Sequence, residues 1–263
     1  MVDSRLRTLT GMKNLRSSTM GILSRVESLS GRPIEFRPDS SLNLRATLQM
    51  ARHGAPAHLL HYRTTNEPLD YWVAYQAAYA LRLFELPADK RMDLRGTGEA
   101  ERQVEALLRA GQPLDAADRE ALPRYMQIVA HWALLNLRSF PLGLRIDQWL
   151  ASEHPELREL QLAGIDAIQQ ENLQVLSKRL GNLSVPTTLL GPVAACALVA
   201  DRICGTGSYA IPFRAAGVLD HGRELLAIFD ATPADSAHDR DLVDAWGRAT
   251  GMQAWYSWIP YEL

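Results

Sequence analysis

The chain of 263 residues is poor in cysteine and has no long apolar run. Its two cysteines, Cys196 and Cys204, match no metal-binding or redox spacing, which argues against a disulfide framework and favours a reducing compartment. The longest apolar run, residues 187–200, is broken by Gly191 and Pro192 and is shorter than the roughly 20 residues of a membrane span. We therefore expect a soluble, cytoplasmic protein with no membrane segment.

The sequence also lacks long segments with charges of one sign. Acidic and basic residues are interspersed, and the formal net charge is only -2. The sequence shows neither a basic stripe for nucleic acid nor an acidic tail. Residues 1–23 lack the continuous apolar segment of a secretory signal peptide. Nucleic-acid binding and secretion are therefore not expected. The first residues could be a transit peptide, and the alternative is an amphipathic helix that carries Leu6, Leu9, Met12 and Leu15.

The composition, with 47% hydrophobic and 22% charged residues, is typical of a globular protein. The hydrophobic residues are numerous enough for one large core. We expect a single domain over residues 1–263, with the fold class α+β and mostly α-helical. Its segments are predicted to be an N-terminal helix (1–31), a small sheet (32–69), a helical core (70–185) and a C-terminal extension that packs on the core (186–263).

Strand signals are confined to the second of these segments. Residues 33–36, 46–50 and 58–63 are predicted strands, separated by turn-forming residues such as Pro38 and Gly54. They are expected to pair as a small antiparallel or mixed sheet.

The rest of the pattern is mainly helical. Asp70 is predicted to cap a buried central helix over residues 71–86, which Pro87 ends. Residues 87–124 are expected to form a surface excursion around a short helix at 99–109. Further elements are predicted as helices at 125–138, 141–150, 155–180 and 239–248 and a strand at 225–229. The C-terminal aromatics are interpreted as packed core: Trp255, Tyr256, Trp258 and Tyr261.

The central helix carries the sequence DYWVAYQAAYALRLF and follows the histidine-containing strand 58–63. This arrangement resembles the active-site helix of a small bacterial family of gluzincin-type zinc metallopeptidases. In that family the helix begins Asp-Tyr and carries the H-E-x-x-H motif, and here Tyr75, Gln76 and Tyr79 stand at the three motif positions. Residues 136–149 are similar to the helix with the third, acidic zinc ligand, and Asp147 falls at that position.

The resemblance implies a zincin-like fold with a small sheet, a central helix and a degenerate motif. In the motif, histidines at i and i+4 bind the zinc and the glutamate between them acts as general base. A phenol with a pKa of about 10 does not replace the imidazole, and an amide does not replace the glutamate. One carboxylate alone does not hold a catalytic zinc. The resemblance thus implies no metal, no cofactor and no catalytic residue. Tyr75, Gln76, Tyr79 and Asp147 are relict positions, expected to be hydrogen-bonded in place of the metal.

Two functions are compatible with these residues. The first is a catalytically inactive metallopeptidase-like pseudoenzyme that acts by binding, as partner or regulatory subunit of another intracellular protein. The alternative is a metal-independent enzyme in the remodelled cleft, with Tyr75 or Tyr79 as acid and Asp147 as base. Without the resemblance, the same helix is simply a core helix whose phenols reach polar partners.

Other chemical motifs are weaker. A metal site at His53, His58 and His61 is disfavoured because residues 58 and 61 of a strand point to opposite faces. His131 is interpreted as a core residue. The glycines of 205–208 lack the lysine and the strand-to-helix context of a phosphate loop, so a turn is predicted there.

Overall fold

The structure is a computed structural model that describes residues 15–42, 44–64, 69–111, 115–177, 179–180 and 183–263. The protein is α+β and mostly helical (66% helix), which confirms the predicted fold class at this level. The α-helices of this part of the chain are α1 (Ser17–Ser30), α2 (Asp70–Phe84), α3 (Glu99–Gly111), α4 (Ala116–Glu153), α5 (Arg158–Leu173), α6 (Gly191–Cys204), α7 (Ile211–Ala215), α8 (Leu219–Ala231) and α9 (Asp239–Ala249). The strands are β1 (Ile34–Pro38), β2 (Ala46–Gln49), β3 (His58–Tyr62), β4 (Met92–Gly96), β5 (Arg179–Leu180), β6 (Leu183–Ser184) and β7 (Tyr256–Pro260).

The chain divides into two compact units. Unit 1 comprises Met1–Asp93, Ile146–Gly164 and Pro260–Leu263, and unit 2 comprises Leu94–Arg145 and Ile165–Ile259. The single domain over 1–263 stays a prediction. Of the predicted amphipathic N-terminal helix, Leu6, Leu9 and Met12 lie outside the described residues.

The sheet of unit 1 has the strand order β1-β3-β2 and is mixed, one of the two predicted alternatives. β3 pairs with β1 in parallel and with β2 antiparallel. Along β3, His58, Leu60 and Tyr62 are buried, whereas His61 is half-buried. The alternation confirms that His58 and His61 point to opposite faces, as the period of a strand requires.

The core of unit 1 is built on α2, as predicted for a central helix. Ala74, Ala77, Ala78 and Leu81 are at most 4% exposed, and they share a hydrophobic cluster with side chains of α1, the sheet and the last turns of α4. Short alanine side chains let α1 pack closely along α2. The buried central helix is therefore confirmed.

The predicted role of Asp70 as the cap of its own helix is wrong. Leu69 occupies the N-cap position of α2, where no side chain makes a capping hydrogen bond. The carboxylate of Asp70 instead accepts hydrogen bonds from the backbone N–H of Arg16, at 2.6 Å, and from Oγ1 of Thr19, at 3.1 Å. Asp70 thus ties α2 to the start of α1, where an anion is also favoured by the helix dipole.

One helix, α4, replaces two predicted helices and part of the predicted surface excursion. It contains Pro123 and Pro141 without ending at either. The helix begins with a reciprocal cap, because the N–H of Asp118 donates to Oδ1 of Asp115 at 2.7 Å and the N–H of Asp115 donates to Oδ2 of Asp118 at 3.4 Å. A proline removes one helical hydrogen bond, and the tertiary packing of α4 outweighs that loss.

The excursion is not a surface feature either. Ala100, Val104 and Leu108 of α3 are buried in the core of unit 2. Strand β4, which was not predicted, pairs with β7 in a two-stranded sheet. The short helix at 99–109 is therefore found as α3, but its prediction as part of a surface excursion is wrong.

The predicted strand at 225–229 is also wrong, since these residues lie in α8. Leu219, Gly222, Leu225, Leu226 and Phe229 are buried, which is a helical spacing. The predicted helix at 155–180 ends early, at Leu173, and the one at 239–248 is confirmed as α9. Trp255, Tyr256 and Tyr261 are buried, as expected for packed core, whereas His131 is exposed and not a core residue.

The window Thr187–Cys204, which contains α6, is long and apolar enough to cross a membrane by length and composition alone. However, 67% of it is buried inside the protein, the pattern of a core helix in a soluble protein. The cytoplasmic location stays a prediction.

Candidate functional site

Three tyrosines spaced four apart form a ridge along α2. The ring centroids are 5.7 Å apart for Tyr71 and Tyr75 and 5.4 Å apart for Tyr75 and Tyr79. Tyr71 is fully buried, whereas Tyr75 and Tyr79 are half-buried, and their two hydroxyl oxygens lie 3.4 Å apart. The ridge therefore runs from the core of unit 1 to its surface.

The carboxylate of Asp147 on α4 lies at the inner end of this ridge and is buried. The hydroxyl of Tyr71 donates to Oδ1 of Asp147 at 2.9 Å. The side-chain amide of Gln161 on α5 donates to the same oxygen at 3.3 Å and to the backbone carbonyl of Asp147 at 2.7 Å. Asp147 is thus held by two neutral donors. The sequence indicated Asp147 but not Gln161, because a glutamine near the start of a helix is usually a solvent-exposed residue.

Gly164 makes this arrangement possible. A β-carbon at residue 164 would overlap Cδ1 and Cε1 of the Tyr71 ring. The ring can pack against α5 in this position only because residue 164 has no side chain. The sequence gives no signal for this role, since a glycine inside a helix indicates only a lower helix propensity.

Burial sets the protonation of the site. Loss of solvation raises the pKa of Asp147 to about 7, although the hydrogen bonds from Tyr71 and Gln161 act in the opposite direction. Loss of solvation, together with the nearby Tyr79 and Asp147 groups, raises the pKa of Tyr75 well above its ordinary value. At neutral pH the phenol of Tyr75 is therefore neutral, and Asp147 is divided between its neutral and charged forms.

Gln76 does not join this cluster. Its Oε1 accepts a hydrogen bond from the backbone N–H of Leu48 in β2, at 3.4 Å. Each of the four relict positions has a hydrogen-bonding contact, but they do not form one cluster. The hydroxyls of Tyr75 and Tyr79 contact each other, Asp147 accepts from Tyr71 and Gln161, and Gln76 accepts from the sheet. The physical reason is that neighbouring helix residues differ in direction by about 100°.

The residues at this site do not fit a catalytic zinc. The side chains around Asp147 are phenols and an amide, whereas zinc is held by imidazole, thiolate or carboxylate ligands. Within the described ranges, no group of three or more His, Cys, Asp or Glu side chains could hold a metal ion.

The histidines of the N-terminal region have separate contacts. His58 is buried, its Nδ1 accepts from the N–H of Ala51 at 2.8 Å, and its Nε2 lies 2.9 Å from Oγ of Ser30. Burial, and then the charge of Arg32, lower the pKa of His58 to about 4. His53 is exposed and pairs with Glu262 at 3.0 Å. His58 is therefore a neutral core residue.

The site as a whole is a polar cluster inside an apolar core. It can take up or release one proton at Asp147, and it holds the hydroxyls of Tyr75 and Tyr79 within hydrogen-bond distance of each other. In comparisons of the chain with protein-family models, with curated proteins and with solved structures, nothing matches.

Proposed function

We propose that the chain is a catalytically inactive, zincin-like protein that acts by binding another protein, as its partner or regulatory subunit. The surface that we assign to this binding is the outer end of the tyrosine ridge, formed by Tyr75 and Tyr79, with Asp147 behind it. The observation that carries the proposal is the neutral hydrogen bonding of Asp147 at the position where the resemblance expects a zinc ligand.

The site beside Asp147 is filled by protein side chains, which supports binding rather than catalysis. The ring of Tyr71 packs on Gly164 and closes the inner end of the ridge. Metal chemistry needs three protein ligands and an open position, and the phenols and the amide around Asp147 provide neither. The side chains of Tyr75 and Tyr79 stay partly exposed, and tyrosine is frequent in protein interfaces.

A metal-independent enzyme is the second candidate, favoured by the protonation of Asp147. A carboxyl group whose pKa is raised to about 7 suits a general base at neutral pH. The raised pKa of Tyr75 makes its phenol a weaker proton donor, so the acid role has less support. This candidate therefore rests on Asp147 alone.

The test is quantitative capture of protein partners from cells that express the chain. The wild type is compared with the double variant Tyr75→Phe, Tyr79→Phe, which keeps both rings and removes only the hydroxyls. Tyr209→Phe serves as the control, because it removes a hydroxyl that bonds Asp166 in unit 2. We expect a partner that the wild type and the control retain and that the double variant retains about tenfold less.

Equal capture by all three proteins would overturn the proposal. So would turnover of peptide or ester substrates by the purified wild type that Asp147→Asn abolishes, because that result would select the enzyme.

A further inference from the structure

We draw no further inference here: the strongest candidate, the outer face of α4 on which Ile128 and Leu135 lie seven residues apart and are each 51% exposed, is an apolar surface patch for which nothing in the described part of the chain shows what covers it.

Discussion

The ring of Tyr71 packs against Gly164, at a place where a β-carbon would overlap two atoms of the ring. We expect Gly164→Ala to destabilise the protein by about 1–3 kcal/mol, the usual cost of overpacking a core. This direction is opposite to the helix propensities, which favour alanine over glycine by about 1 kcal/mol inside a helix. The measurement is the free energy of unfolding in urea.

Gly21→Ala is the matched control for that substitution. Gly21 also lies inside a helix, but nothing is within 4 Å of a β-carbon at this residue. We expect Gly21→Ala to leave stability unchanged or to raise it by up to about 1 kcal/mol. An unaltered stability of Gly164→Ala would show that Tyr71 moves away from α5 at little cost, and the hydrogen bond to Asp147 would then be dispensable.

Burial of α2 leads to a second prediction. Ala78 is 1% exposed, so that Ala78→Asp places a carboxylate in the core of unit 1. We expect a loss of several kcal/mol, roughly 3–5, because a buried charge without a partner is costly. Ala106→Asp, at an exposed position inside α3, should cost less than about 1 kcal/mol. Similar unfolding free energies for the two variants would mean that α2 is not central.

The third prediction concerns pH, because Asp147 and His58 act on stability in opposite directions. Asp147 has a pKa of about 7 in the native state and 3.8 as its ordinary value, so between these limits the native state holds a proton that the unfolded state has lost. Its contribution to stability therefore falls as pH rises. His58 has a pKa of about 4 in the native state and 6.5 ordinarily, so its contribution is complete above 6.5 and is lost as pH falls towards 4.

The two contributions should largely cancel between pH 4.5 and 6.5, each with a slope of up to about 1.4 kcal/mol per pH unit. Relative to the wild type, Asp147→Asn should give an unfolding free energy that rises with pH in this range. His58→Gln should give one that falls. Urea titrations at several pH values measure both slopes, and parallel profiles for the three proteins would contradict the assignment.

The fourth prediction concerns zinc. The purified wild type should contain no stoichiometric zinc by elemental analysis, since its site has phenols where a zincin has histidines. The triple variant Tyr75→His, Gln76→Glu, Tyr79→His should bind zinc at least about tenfold more tightly than the wild type, because two histidines at i and i+4 share one helix face. We expect no efficient proteolysis, since the partners that orient such ligands are missing.

A triple variant one turn earlier is the control for this frame: Tyr71→His, Trp72→Glu, Tyr75→His. Asp147 bonds directly to Tyr71, so the structure makes this comparison necessary. Tighter zinc binding by the earlier frame would show that the resemblance is displaced by one turn. Equal binding by the wild type and both variants would place the metal elsewhere.

Helices and strands that proline or glycine residues bound were predictable from the sequence. The three strands of unit 1 are bounded by proline and glycine turns, and α2 stops just before Pro87, so local chemistry was enough. The same rule failed at Pro123 and Pro141, because packing over the length of α4 outweighs the local loss at each proline. At 225–229 the strand prediction failed for another reason, because five apolar residues in a row have no period that separates a strand from a buried helix.

The site was predictable only in its composition. The sequence placed Tyr75, Tyr79 and Asp147 together, and the structure supports part of that grouping. It could not indicate that Tyr71 is the phenol that bonds Asp147, because that depends on the missing side chain of Gly164, on another helix. Nor did the sequence indicate that Gln76 bonds β2, since it does not tell which strand packs beside which face of the helix.

The single carboxylate of Asp70 also determines how the N-terminal region opens. It is the first residue of α2 and the acceptor for the amide of Arg16, the N-cap residue of α1, so fraying of one helix end removes a bond from the other. The two ends then belong to one unit of local unfolding, and hydrogen exchange of their amides should report a common free energy of opening. We therefore expect a proteolytic cut at the start of α1 to loosen the first turn of α2 as well, because the cut releases the bond between residues 16 and 70.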